Sequence, residues 1–351
     1  SKQAKMADFN RGQYFPPPPQ PPRLPGIGID EALLGSSSVH SRGVLSLSWN
    51  LNGKRLATAS EDKTARVYEV DDNGTVKSIA KLEGHGDALS QVCWDPINPN
   101  RLATLSGDRD KSLKLWDVRT CQPTSIKLSA DFLNMSWSSN GSLIAVGSVM
   151  FSNNDGLGEM KDIIAIVDLK SGDIKTLMFP YQIEEFCFSP NSEFLLITTE
   201  YGTVEVVKFQ GEEQETVRSI QSVTGNCFCI AIDPTNTLMA VGSKDGLISI
   251  WSLDELICLR TIGDHLSQVK SICFSPDGSM IASCSHGHTS VQISDIEGKH
   301  LNSIETGSGI LQISWQKQVG SNLIAVARVS KDKGDGYQRT DYVRLINALP
   351  K

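Results

Sequence analysis

The sequence predicts an all-β ring, a seven-bladed β-propeller closed by an N-terminal strand, and three observations carry that reading. A short alternating strand ending in a large apolar residue recurs seven times, at Trp49, Trp94, Trp137, Phe188, Ile232, Phe274 and Trp315. The intervals of 45, 43, 51, 44, 42 and 41 residues give a period in the low forties, which marks blades of four strands. Helical periodicity is absent, and Gly- and Asn-bearing turns follow the anchors.

Each element then follows in order. First strands such as 44–49 and 269–274 alternate in polarity, so that one row of side chains faces each neighbouring blade. Turns written Leu51-Asn52-Gly53, Ser139-Asn140-Gly141 and Pro276-Asp277-Gly278 tolerate the positive φ of a tight hairpin. Second strands are expected at 56–60, 102–106, 144–148, 195–199, 239–243, 281–285 and 323–327. Third strands are expected at 65–70, 113–118, 164–169, 204–209, 248–253, 291–296 and 343–348. Small residues (Ala57, Ala103, Ala145, Ala240) mark the places where blades crowd toward the axis. A fourth strand, such as 76–82 or 258–262, follows every third strand but the last. An open edge leaves backbone groups unpaired. Asp30-Glu31-Ala32-Leu33-Leu34, just before blade 1, is therefore expected to supply the missing strand.

Two regions result: a Pro-rich disordered tail at 1–28 and the propeller at 29–351, its core divided among blade interfaces. The tail contains Pro16-Pro17-Pro18-Pro19-Gln20-Pro21-Pro22-Arg23, which favours extended polyproline. Residues 18–23 fit a PxxPxR ligand for SH3 domains, with a plain tail as the competing reading.

Composition narrows the function. A net charge of −7 and a pI of about 5.4 repel phosphate backbones, so tight direct binding to nucleic acid is disfavoured. Arg109, Lys111, Lys114 and Arg119 form a local basic strip that RNA would touch if it touches anything, the alternative being solvated charge. Cys93, Cys187 and Cys273 share the penultimate place of first strands, which reads as packing in a reducing compartment. No CxxC pair, signal segment or bilayer-length apolar run is found, so neither a metal cluster nor a membrane is expected. His286-Gly287-His288 with Cys284 reads as a turn before it reads as a metal site. There is no GxSxG elbow or Gly-rich phosphate loop. The pairs Glu184-Glu185 and Glu212-Glu213 are strand or loop neighbours, not an acid/base dyad. No catalytic residue and no cofactor are expected.

Loop length points to a surface. Second-to-third-strand loops are short in blades 1, 4 and 5 but long at 149–162 and 329–342, and blade 2 is extended by Arg109-Asp110. Loops of one type share a rim. A partner site is expected around Arg109, Lys111, Asn153, Asp155, Lys331, Lys333, Asp335 and Tyr337, with Tyr337 as anchor. The competing reading is tolerated insertion.

Gly84-His85, Ser106, Asp108 or Asp110, and Trp116-Asp117 stand at a spacing that resembles WD40 repeats. The resemblance implies a hydrogen-bonded relay of His85, Ser106, Asp108 (or Asp110) and Trp116, each bond contributing on the order of 1 kcal/mol. Only blade 2 shows the whole set. Blade 5 keeps Asp245 and Trp251, blade 1 keeps Asp62, and blade 6 has His286 and Ser294 at the Asp and Trp places.

The stretches 85–96, 106–108, 116–120, 249–258 and 332–337 are similar to the WD40 subunits of the THO complex. The Arg109-Asp110 insertion, the long 149–162 loop and the Pro-rich start depart from that family. The resemblance implies a non-catalytic nuclear scaffold of the THO/TREX machinery, which joins transcription to messenger-RNA packaging and export. Its partners would be the large helical THO subunits and, indirectly, an RNA helicase. Trp116-Asp117-Val118-Arg119 also resembles the WDxR motif of cullin-type ubiquitin-ligase receptors, a role that would depend on Arg119. An enzyme or ligand-binding propeller with chemistry at its axial channel is the remaining class.

Overall fold

The structure, a computed structural model, describes residues 27–29, 40–71, 75–107, 109–147, 162–209, 214–263, 265–328 and 343–349. Seven antiparallel sheets of four strands lie at 44–82, 89–127, 134–179, 183–221, 227–262, 269–305 and, with a fourth strand from 27–29, 310–347. First strands of successive blades pack side by side around the whole circle, the last (Ile310–Trp315) meeting the first (Val44–Trp49). The seven-bladed propeller read from the period is the fold.

The ring closes through the N-terminal segment, but three residues earlier than expected. Ile27–Ile29 pairs antiparallel with the third strand of blade 7 (Val343–Asn347), placing Ile27 opposite Leu345 and Ile29 opposite Val343. The expected strand at 30–34 lies outside the described residues. The sequence signal at 30–34 was its apolar Ala32-Leu33-Leu34 run, whereas Ile27-Gly28-Ile29 is the shorter alternating segment that takes the edge.

Packing explains the repeat. Seven apolar clusters each sit between two neighbouring blades: Ala57, Ala59 and Val67 of blade 1 meet Leu89, Trp94 and Leu102 of blade 2, and Val44 and Leu47 meet Leu323 and Ala325 across the seam between blades 7 and 1. Ala57, Ala103, Ala145 and Ala240 are fully buried, so a larger side chain at any of them would push blades apart. Fourth strands are the outer edges; Gln122–Lys127 is exposed along nearly its whole length. The hairpin glycines Gly53, Gly141 and Gly278 have φ of +70°, +71° and +72°, the left-handed geometry their turns require.

Antiparallel order divides the loops between two faces. First-to-second hairpins and third-to-fourth turns share one face, here the hairpin face. Second-to-third loops and the connections between blades share the other, the loop face.

Candidate functional site

Three features could carry function: the relays on the loop face, the axial channel, and the hairpin face. The blade 2 relay is built from four elements. His85, in the connection from blade 1, sits with Nδ1 at 2.6 Å from the Asp110 carboxylate and Nε2 at 2.7 Å from the Thr104 hydroxyl. Trp116 donates its indole N–H to the same hydroxyl at 2.8 Å, and Ser106 and Ser112 each donate to Asp110 at 2.8 Å. The carboxylate of this relay is thus Asp110, and Asp108 lies outside the described residues. Thr104, absent from the sequence-derived set, joins histidine to tryptophan.

Burial pushes the His85 imidazole down to about 4, Asp110 offsetting only part of that fall. Burial also works against the Asp110 carboxylate, but hydrogen bonds from His85, Ser112 and Ser106 outweigh it and hold the acid below the usual carboxylate range. A neutral histidine beside an ionised carboxylate, each with its own partners, has a clamp's geometry.

Blade 1 carries a second histidine relay that the sequence reading reduced to Asp62. His40 Nδ1 lies 2.9 Å from Asp62 and Nε2 2.7 Å from Thr58, while Tyr68 fills the tryptophan place and is hydrogen-bonded with Thr58. In blade 6, His265 reaches Ser283 at 2.7 Å. In blade 5, Trp251 donates to Ser249 at 2.8 Å and Ser243 donates to Asp245.

The axial channel, about 420 Å³, is lined by first strands. Among the lining residues, seven side chains, one per blade, each bind the backbone of the next blade. Ser46 accepts from Val92 N–H at 3.3 Å and Gln91 from Met135 N–H. Asn134 donates to Glu184 O at 2.9 Å, and Glu185 accepts from Ile230 N–H at 3.1 Å. The Cys229 thiol faces Val269 O at 3.7 Å. Ser271 accepts from Ile313 N–H at 3.4 Å, and Gln312 accepts from Leu47 N–H at 2.6 Å, which completes the circle. In six blades a register shift directly precedes the belt residue (Val44/Ser46, Leu89/Gln91, Ile183/Glu185, Cys227/Cys229, Val269/Ser271, Ile310/Gln312). A β-bulge re-aims a side chain in this way. Blade 3 dispenses with the bulge because Asn134 opens its strand.

The sequence-derived partner site divides. Arg109 and Lys111 lie in the blade 2 loop, where the Arg109 amide donates to Asp87 at 3.1 Å and Lys111 Nζ lies 3.4 Å from Asp131. Asn153, Asp155, Lys331, Lys333, Asp335 and Tyr337 lie outside the described residues. The basic strip does not hold together: Arg109 and Lys111 are on the loop face, Lys114 donates sideways to Ser125 at 2.7 Å within the blade, and Arg119 is in a third-to-fourth turn on the hairpin face. Arg119 also binds Asp117 of its own motif with two guanidinium contacts at 3.0 and 2.6 Å.

Cys284 is buried in the core between blades 6 and 7 while His286 is exposed in the turn, so these do not converge on a metal. Among the described residues no group of three His, Cys, Asp or Glu could hold a metal ion, and no helix is long and apolar enough to cross a membrane.

The family model described as WD domain, G-beta repeat matches residues 32–69, 76–117, 214–252 and 256–291. Two of those segments contain the histidine relays of blades 1 and 2. The chain is 33% identical over 329 residues to THO complex subunit 3 of Arabidopsis thaliana, covering 91% of this chain and 98% of the relative. It is 27% identical over 259 residues to WD repeat-containing protein AAC3 of Dictyostelium discoideum, covering 66% of this chain and 51% of that relative. It is 26% identical over 231 residues to WD repeat-containing protein 82 of Drosophila melanogaster, covering 63% of this chain and 68% of that relative.

Proposed function

Because this chain belongs to the WD40-repeat family of THO complex subunit 3, we propose that it is a non-catalytic scaffold subunit of a THO assembly in the nucleus. In that role it serves the coupling of transcription to messenger-RNA packaging and export. The observation that carries the reading is 33% identity running through nearly the full length of both chains. Shared WD40 background alone gives shorter and weaker matches, as the two other relatives illustrate.

The mechanism is positional. Clamped blades, a hydrogen-bonded axial belt and a ring closed by its N-terminal strand make a rigid body, and a rigid body loses little conformational freedom when it docks. The partners are the larger helical THO subunits and, through them, an RNA helicase. With a net charge of −7, RNA is held by the assembly more than by this chain.

The test is to tag the chain in its own cells and identify what stays bound after nuclease treatment and a moderate salt wash. Retention of the large THO subunits supports the scaffold reading. Their absence, with cullin-ligase components retained in an Arg119-dependent way, would replace it.

A further inference from the structure

On the rim opposite the long loops, three exposed apolar residues fall on consecutive blades. Val319, Ile97 and Leu51 are 82%, 58% and 48% exposed, and they occupy the first-to-second hairpins of blades 7, 2 and 1, three consecutive blades. Beside them the hairpin end of the axis opens into a depression of about 600 Å³ whose walls include Leu51, Pro96, Phe274, Pro276 and Trp315. Single exposed apolar residues need no explanation, but three on consecutive hairpins beside an apolar hollow do.

These hairpins are fixed to one another. Gln316 Nε2 donates to Gly53 O at 2.7 Å, joining blades 7 and 1. Arg55 donates to the Asn100 side chain at 2.7 Å, joining blades 1 and 2. On the far side, a Cβ added at Gly141 would lie 2.6 Å from Ile97 Cγ1, so blade 3 presses on the Ile97 side chain. A patch held in this way is ordered before any partner arrives.

The charge of the three first-to-second hairpins narrows the occupant. Lys54 and Lys317 are exposed there, and the one carboxylate within them, Asp95, is buried and bound to Arg101 at 2.6 Å; the exposed Glu69 and Asp71 stand beside Lys54 at the third-to-fourth turn of blade 1, outside the hairpins. A second copy docking by two-fold symmetry would set these lysines against themselves. A single nucleic-acid strand would need ring faces to stack on, and the exposed side chains are aliphatic.

We propose that the first-to-second hairpins of blades 7, 1 and 2 are a docking surface for a partner protein segment carrying large apolar side chains flanked by carboxylates. The proposal rests on the reading of this chain as an assembly subunit and adds the face and the chemistry of the contact. By contrast Leu133, Tyr201 and Leu266, also exposed, stand apart on the loop face, in the connection into blade 3, the second-to-third loop of blade 4 and the connection into blade 6.

The experiment uses the full chain and the remaining THO subunits, reconstituted without it, as the probe. Val319→Glu combined with Leu51→Glu is expected to weaken binding by about tenfold or more, since large apolar residues at an interface centre dominate its affinity. Lys54→Glu with Lys317→Glu is expected to weaken it and to flatten its salt dependence. Leu266→Glu, on the opposite face, should bind like wild type. All variants should keep the wild-type melting temperature, which separates lost docking from lost folding. If wild type binds and the hairpin variants bind equally, the face is wrong and the subunit reading survives. If wild type does not bind the subunits, both fall. A wild-type dimer in sedimentation that Val319→Glu dissociates would make a second copy the occupant and overturn the proposal.

Discussion

Gln312 Oε1 accepts the amide of Leu47 at 2.6 Å, across the seam where the last blade meets the first. Six other side chains bind the next blade's backbone around the axis, four as acceptors and Asn134 and Cys229 as donors, so the ring is tied at its inner edge by side chains and at its outer edge by the Ile27–Ile29 strand. Gln312→Leu removes the acceptor and leaves the part-buried Leu47 amide without it. The expected loss is about 1–3 kcal/mol of unfolding free energy in urea titration. A variant as stable as wild type would show that the belt is incidental.

Glu185 holds the belt place that Gln91 and Gln312 hold in blades 2 and 7. Burial pushes its carboxyl up to about 7, against the pull of the Ile230 amide and the Lys270 charge. The folded chain therefore binds this proton more tightly than the unfolded chain, whose value is near 4.5. That contribution to stability is full below pH 4.5 and is lost as pH rises through 7. Glu185→Gln keeps the acceptor and removes the charge. It should melt higher than wild type at pH 8, by a margin that shrinks toward pH 5; a margin independent of pH would refute the assignment.

Asp110 and Asp108 are distinguishable by substitution. Asp110→Ala strips His85, Ser106 and Ser112 of a shared acceptor and should cost about 2 kcal/mol, while Asp108→Ala should stay within about 0.5 kcal/mol of wild type. Equal costs for the two would reassign the relay.

The His85 ring gives a readout of the same clamp. Its folded value of about 4 lies below the free value of 6.5, so its contribution is full above pH 6.5 and is lost as pH falls through 4. NMR titration should place the His85 midpoint near 4, and lower still in Asp110→Ala, where the opposing carboxylate is gone. A midpoint near 6.5 would mean that the ring is not buried in solution.

The closing strand predicts a cooperative effect. Deletion through residue 29 should lower the melting temperature of the whole ring by a few degrees or more in a single transition, whereas deletion through residue 26 should not. Loss of blade 7 signals alone, ahead of the rest, would show that the blades do not share the closure.

The blades were legible because their cause is local: a period in the low forties, alternation, and Gly-bearing turns at Gly53, Gly141 and Gly278. The blade 1 relay was missed for a local reason as well. Val39 stands before His40 where blade 2 has Gly84, and Tyr68 stands for tryptophan. One signal was available, since His40 and His85 are 45 residues apart, the same interval as Trp49 and Trp94. The belt left no motif, because Ser46, Gln91, Asn134, Glu185, Cys229, Ser271 and Gln312 share a position and a bulge but no chemistry. The hairpin patch was written in the sequence as Asn-Leu-Asn, Pro-Ile-Asn and Gln-Val-Gly. Large apolar residues at turn positions were a clue that loop length overshadowed.

Ile27 and Leu345 lie at opposite ends of the chain and pair with each other. During synthesis at about 5–20 residues per second, the N-terminal strand leaves the ribosome first and then waits tens of seconds for its partner. Six blades can form in that interval from contacts between near neighbours, each with a modest loop to close. The seventh needs both segments at once, the contact of longest range among the described residues. Ring closure is therefore the late step of biogenesis, and an arrested or truncated nascent chain would be left holding a bare strand and an open sheet edge.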